Sequence, residues 1–176
     1  MDPAFGIGCV FLVCVNVFVR FTWAKTISSK EPANVAEALD FLLQLPPKMP
    51  KLITSDNGNE FLGPVSTLLV RRNIAQGFKA AGDVNAIGVA DRATQKCKRK
   101  LAELAARLGR TWSSLLDQAV KGINYTPKPV LHGDAPSEVR GHDDVGFMLQ
   151  QDQAKHLQHK KTLTARRQNA PEDAGG

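Results

Sequence analysis

The sequence is poor in cysteine, in aromatic residues and in long apolar runs. Each of these shortages argues against a particular kind of site or class of protein. Its three cysteines form no CxxC pair and no cluster with histidine. Zinc sites built on such clusters are therefore excluded, and we predict free thiols in a reducing compartment. Aromatic residues make up 6% of the chain. We interpret Trp23 and Trp112 as core or interface residues, with no stacking role required.

A membrane-spanning helix or a signal peptide is not predicted either. The apolar run over residues 9–19 is interrupted by Asn16 and is far shorter than the ~20 residues that a spanning helix needs. The leader before it, Met-Asp-Pro, lacks the positive charge of a signal peptide. We interpret the run as a buried strand of a protein that is not secreted and has no membrane partner.

Positive charge is abundant and concentrated. The net charge is +6, with a pI near 9.4. Residues 92–110 alone hold seven cations and one acid, a local balance of seven minus one, or +6. A concentrated basic stripe attracts polyanions, whereas an evenly basic surface would mainly favour solubility. Nucleic acid is therefore the predicted partner.

Periodicity predicts an α/β domain in the order strand, strand, helix, strand, helix, strand, helix, helix. Short connections favour antiparallel pairing of the first strands, and helical crossovers favour parallel pairing of the later ones. The predicted elements are strands over 10–18, 20–27, 51–56 and 74–78, and helices from about Pro32 to Leu45, 63–72, 85–108 and from Thr111 to Ile123. We predict the strand before Asp56 to be buried, and Thr111 to cap the last helix.

Two carboxylates have notable positions in the predicted order of elements, one at the end of a strand and one on the basic helix. Asp56 ends a strand just before the turn signal Asn57-Gly58. Asp91 directly precedes the cations of the helix predicted over 85–108 and shares one face with Gln95 and Lys98, at i, i+4 and i+7. Arg92, Lys96 and Arg99 repeat that spacing one residue on. Carboxylates beside cations are a way to hold divalent metal against a phosphodiester. The same residues could also be an ordinary turn and a solvated helix face.

Four segments together resemble the catalytic core of retroviral and retrotransposon integrases, which are DDE recombinases. They are LVCVNVFVR (12–20), SDNGNEF (55–61), AIGVADR (86–92), and Asn124 with HGDAPSE (132–138). The resemblance covers roughly residues 1–141 and keeps the family's order. It implies an RNase H-like α/β fold, a mixed five-stranded sheet flanked by helices, with the first strand truncated here.

The resemblance also implies a two-metal site that takes Mg²⁺ or Mn²⁺. Asp56 matches the second metal ligand of the family. Asp91 stands where most relatives have glutamate, with 34 residues between it and Asp56. Asp2 is our candidate for the first ligand, and Asn16, as a decayed first aspartate, is the alternative. Aspartate oxygens suit such hard cations. Two metals ~3.5–4 Å apart would activate the attacking oxygen and stabilise the leaving one.

From the resemblance we expect 3′-end processing and strand transfer on DNA, with Lys98, Arg92, Lys96, Arg99 and Asn57 contacting DNA. It further implies a homo-oligomer that acts in the nucleus, after a cytoplasmic stage, without a small-molecule cofactor. We expect the core over residues 1–141, a helical extension over 142–161 and a disordered basic tail over 162–176. The rival interpretation is an inactive, truncated module that keeps the fold and binds nucleic acid.

Overall fold

The computed structural model describes residues 10–78 and 84–139, with side chains from residue 88 onward in the second range. The predicted ligand Asp2 and the predicted segments 142–161 and 162–176 lie outside the described residues. The elements are β1 (Val10–Val15), β2 (Thr22–Ile27), α1 (Pro32–Leu42), β3 (Leu52–Ser55), α2 (Pro64–Arg71), β4 (Ala75–Phe78), α3 (Val84–Leu108) and α4 (Trp112–Asn124). Short 3-10 turns occur at Asn59–Phe61 and Pro129–Leu131.

The described residues fall into two compact units that divide after Thr126. The first contains all the helices and strands named above. In the second, His132 directly follows the 3-10 turn, and the backbone N–H of Lys128 donates to the carbonyl of Asp134 at 3.0 Å. The candidate site belongs to the first unit.

The strands form two separate pairs among the described residues. β1 and β2 pair antiparallel, with Val10 opposite Ile27. β3 and β4 pair parallel, with Leu52 opposite Ala75, and α2 makes the crossover between them. The predicted α/β class and both pairing directions are confirmed. The sheet is smaller than the five-stranded one we predicted, because the two pairs are not joined to each other in this part of the chain.

Helices cover both faces of the β1–β2 hairpin. On one face, Leu12 and Cys14 pack against a cluster from α1 and α2 that includes Leu39 and Leu69. On the other face, Phe11 packs against a cluster from α3 and α4. Successive strand side chains point to opposite faces, so one apolar strand contributes to both layers. The hairpin is therefore the central layer of the first unit.

Two strand predictions were wrong in detail. β1 stops at Val15 instead of Phe18, because the carboxamide of Asn16 accepts the N–H groups of Phe18 (2.9 Å) and Val19 (3.2 Å) and turns the chain. β3 is not fully buried, since Leu52 is 58% exposed. Its Ile53 packs on the α1–α2 cluster while its other face is open. An apolar run alone does not distinguish one covered face from two.

Helix α3 carries the predicted core stripe. Ala93, Cys97, Leu101 and Leu104 are buried. Leu108, predicted to continue the stripe, is exposed at the last turn of the helix. Gly109 then ends the helix with φ +62°, the left-handed conformation that glycine adopts without a steric penalty.

The start of α4 differs in one respect from the sequence prediction. Thr111 is the residue that precedes the helix, but its side chain makes no capping hydrogen bond. Instead, the Ser114 hydroxyl donates to the Thr111 carbonyl at 2.8 Å. This first turn is therefore stabilised through a backbone acceptor and not through the threonine side chain that we predicted as the cap.

Candidate active site

Asp56 lies directly after the carboxyl end of β3 and is exposed to solvent. Its Oδ1 accepts a long hydrogen bond from the Gly58 N–H at 3.3 Å, which forms a small turn. Ser55 donates its hydroxyl to the Asp56 carbonyl at 3.0 Å. Asn57, predicted to contact DNA, is exposed in the same turn. The carboxylate is thus presented at the end of a strand, where its oxygens remain accessible to a ligand.

The turn that presents Asp56 is held from two sides. The Glu60 carboxylate occupies the space next to Gly58 where a Cβ would lie. The Gln76 carboxamide donates to the Phe61 carbonyl at 2.8 Å and ties the 3-10 turn to β4. Gln76 was not predicted as a site residue, and no local signal marks it, because the two partners are 15 residues apart. These contacts fix where the chain goes after Asp56.

Asp91 is exposed on α3, eight residues into that helix. α3 lies against both β3 and β1, so the helix that carries Asp91 is a direct neighbour of the strand that Asp56 follows. Lys98 is exposed on the Asp91 face, two helical turns further along. The structure therefore brings the two predicted carboxylate-bearing elements into contact.

Both carboxylates are available to a cation. Within residues 10–78 and 84–139, the ion pairs join Asp40 to Arg71 and Arg72 and join Lys100 to Glu103, so neither Asp56 nor Asp91 is neutralised by a described partner. Aspartate oxygens are the ligand type that Mg²⁺ and Mn²⁺ prefer, so this donor chemistry fits such a metal.

The described residues do not by themselves complete a three-ligand metal site. No group of three histidine, cysteine, aspartate or glutamate residues that could hold a metal occurs among them. Asp2, the predicted third ligand, lies outside the described residues, so the predicted triad stays a prediction. Asn16, the alternative, uses its side-chain oxygen to close the turn after β1. That role accounts for Asn16 without any contribution to a metal site.

Cys14 is not a candidate nucleophile. It is a free thiol on β1. Desolvation by burial raises the pKa of the Cys14 thiol from 9.0 to about 12. Since the thiolate is the reactive form, a thiol that stays protonated at neutral pH is chemically inert.

Solved structures and sequence relatives extend these observations. The structure resembles the crystal structure of the catalytic core domain of BIV integrase, with a TM-score of 0.64 and 21% sequence identity over 84% of this chain and 90% of that chain. The chain has the fold of a retroviral integrase catalytic core. The resemblance noted in the sequence is thereby confirmed at the level of the fold.

The sequence is also similar to a transposon-derived protein. The chain is 31% identical over 119 residues to a transposon-derived protein of Caenorhabditis elegans. The match includes 66% of this chain, and it spans 41% of the length of that relative. No family model matches the sequence. Among the described helices, none combines the length and the apolar character needed to cross a membrane.

Proposed function

We propose that this chain is the integrase-like core of a transposable element and performs metal-dependent polynucleotidyl transfer on DNA. The observation that carries the proposal is the contact between β3, which Asp56 follows directly, and α3, which bears Asp91. The integrase-core fold and the transposon-derived relative support the same conclusion. The proposed reaction is 3′-end processing followed by strand transfer.

In this proposal Asp2, Asp56 and Asp91 hold Mg²⁺ or Mn²⁺. A metal held there would neutralise charge at the scissile phosphodiester and would lower the pKa of an attacking water or hydroxyl. Asp91 is one methylene shorter than the glutamate of most relatives, so the proposal requires α3 to lie close to β3, and the contact between these two elements supports it. Carboxylates gathered at one place repel each other, so the site should be loosely organised without metal.

The chain's cations position the DNA. Lys98, exposed on the Asp91 face, contacts a phosphate near the scissile bond, and Asn57 in the Asp56 turn offers a carboxamide to the same strand. Arg92, Lys96 and Arg99 add phosphate contacts further out. Such contacts give affinity that depends strongly on salt and little on sequence. We further propose that the protein forms a homo-oligomer and acts in the nucleus, with the domain boundaries given above.

Nicking and strand transfer on a labelled duplex in Mn²⁺ test the proposal. Asp56→Asn keeps the shape of the side chain and removes its charge. We expect a rate loss of more than about 100-fold, because even the outer partners of metal ligands contribute about 10- to 100-fold. Asp117→Asn, at an exposed carboxylate of α4, is the matched control and should retain the wild-type rate.

The same assay separates catalysis from the rival, non-catalytic function. Activity that disappears with EDTA and with Asp56→Asn but survives in Asp117→Asn supports the enzyme. Duplex binding without turnover in Mn²⁺ would contradict it and would favour an inactive nucleic-acid-binding module.

A further inference from the structure

We propose that Asn57 is a site of spontaneous deamidation. Asn57 is exposed in the turn after β3, and Gly58 follows it directly. In this reaction the backbone nitrogen of Gly58 attacks the side-chain carbonyl carbon of Asn57. The carboxamide nitrogen leaves as ammonia and takes up the proton that the Gly58 nitrogen gives up. Water then opens the cyclic imide, and residue 57 becomes aspartate or isoaspartate.

The sequence distinguishes Asn57 from the other asparagines of the chain. Each of the other seven is followed by a residue that carries a side chain. A Cβ on that following residue crowds the backbone nitrogen as it approaches the carboxamide carbon, and it also restricts the backbone conformation. Glycine has no Cβ, so ring closure meets the least steric resistance at Asn57.

The carboxamide of Asn57 is free to turn toward Gly58. It has no hydrogen-bond partner within the part of the chain that the structure describes. Other asparagine side chains are held in place. The Asn16 side chain accepts two backbone N–H groups, and Asn124 bonds to both backbone groups of Thr22. Rotation of the side chain, which ring closure requires, is therefore unhindered at Asn57.

The backbone nitrogen that attacks is only weakly held. The N–H of Gly58 donates to Oδ1 of Asp56 at 3.3 Å, which is long for a hydrogen bond. This N–H lies in the plane of the peptide group, whereas the orbital that attacks the carboxamide carbon is perpendicular to that plane. The bond to Asp56 therefore leaves the path of attack open.

The products change both the charge and the path of the turn. A carboxylate at residue 57 lies directly beside that of Asp56, and the Glu60 carboxylate already lies against Gly58. These like charges repel one another and favour opening of the turn. Isoaspartate also adds one methylene to the main chain, so it shifts Asp56 relative to the 3-10 turn that Gln76 anchors.

Deamidation alters the candidate active site as the protein ages. An aged sample contains intact sites and sites with an additional negative charge next to Asp56. Since Asn57 is proposed to offer its carboxamide to DNA, its deamidation also removes that contact, a consequence that rests on the proposed function. The modification itself requires neither DNA nor catalysis.

The test incubates the full chain at neutral pH and follows each asparagine by peptide mapping with mass spectrometry. Deamidation replaces NH2 by OH, which raises the mass of the peptide, and an isoaspartyl methyltransferase labels the isoaspartate form. Asn59, exposed in the same turn and followed by Glu60, is the control within the same molecule. We expect product to form at Asn57 at least about 10-fold faster than at Asn59, which corresponds to about 1.4 kcal/mol in the barrier.

Gly58→Ala is the matched variant. Gly58 has φ −64° and ψ 139°, a conformation that alanine adopts without strain. The atoms next to the new Cβ belong to the end of the flexible Glu60 side chain, which has room to move. We expect this variant to keep the fold and to form product at Asn57 at least about 10-fold more slowly than the wild type.

Two results would overturn the proposal. The first is an Asn57 that stays intact, or that deamidates no faster than Asn59 in the wild-type chain. The second is a folded Gly58→Ala variant that forms product at the wild-type rate. The comparison of Asn57 with Asn59 needs no variant, so it decides the matter even where Gly58→Ala does not fold. The readout is the covalent state of residue 57, so a failure of the proposed function leaves it unaffected.

Discussion

At the scale of single residues, the side chain of Asn124 joins α4 to β2. Its Oδ1 accepts the Thr22 N–H and its Nδ2 donates to the Thr22 carbonyl, each at 2.8 Å. Both residues are buried. The carboxamide thus replaces the neighbouring strand that would otherwise satisfy these two backbone groups. It fixes the end of the β1–β2 hairpin against the last helix of the first unit.

Asn124→Ala should destabilise the fold substantially. The change leaves a buried N–H and a buried C=O of Thr22 without a partner, and each such group costs about 1–3 kcal/mol. We expect the free energy of unfolding in urea to fall by about 2–4 kcal/mol. Asn59→Ala, at an exposed position of the 3-10 turn, should stay within about 0.5 kcal/mol of the wild type. Equal losses in the two variants would contradict the role assigned to Asn124.

Some features of single residues could be predicted from the sequence, and others could not. The place of Asp56 at a strand end could be predicted, because the turn signal Asn57-Gly58 follows it directly. The bond between Asn124 and Thr22 could not, because its partners are 102 residues apart. The contact of Gln76 with the Phe61 carbonyl is of the same kind. A local sequence pattern can predict a turn, whereas a polar contact between elements distant in the sequence leaves no local pattern.

At the scale of elements, α3 contains Gly88 and is followed directly by Gly109, and replacing these two glycines should change stability in opposite directions. Gly109 has φ +62°, so alanine there would adopt a strained left-handed conformation. Gly88 lies inside the helix, and a methyl group added there would make only an ordinary contact with Arg92 at 3.8 Å. The two positions therefore form an internal control for one helix.

We expect Gly109→Ala to lower the free energy of unfolding by about 1 kcal/mol. Gly88→Ala should raise it by about 0.5–1 kcal/mol, because alanine loses less conformational freedom in a helix. Thermal or urea unfolding of the two variants beside the wild type provides the measurement. Changes of the same sign would show that the helix boundary at Gly109 is wrongly placed.

The short strands were harder to predict than the long helix α3. The period of α3 defined its buried stripe, because a helix 25 residues long repeats the pattern many times. β3 has four residues, too few to show whether one face or both are covered. β1 is shorter than its apolar run, since the side-chain bonds of Asn16 end it. Helix length thus gave a more secure prediction than apolar content.

At the scale of the whole molecule, helices on both sides of a β-hairpin support a parallel strand pair that ends at Asp56. The order of elements and the pairing directions followed from connection lengths. The separation into two strand pairs did not, because pairing between distant strands depends on contacts that no local pattern records. What the assembled fold adds is the contact of α3 with β3. The proposed chemistry depends on this contact between α3 and β3.

The central claim is that Asp56 and Asp91 act together at one metal-dependent site. The most direct measurement is a double-mutant cycle on the Mn²⁺-dependent nicking rate, with Asp56→Asn, Asp91→Asn and the combined variant. Groups that act as one unit are not additive. We expect each single change to reduce the rate by more than about 100-fold and the combined variant to be no slower than the slower single variant. Losses that multiply in the combined variant, or a wild-type rate in either single variant, would contradict the claim.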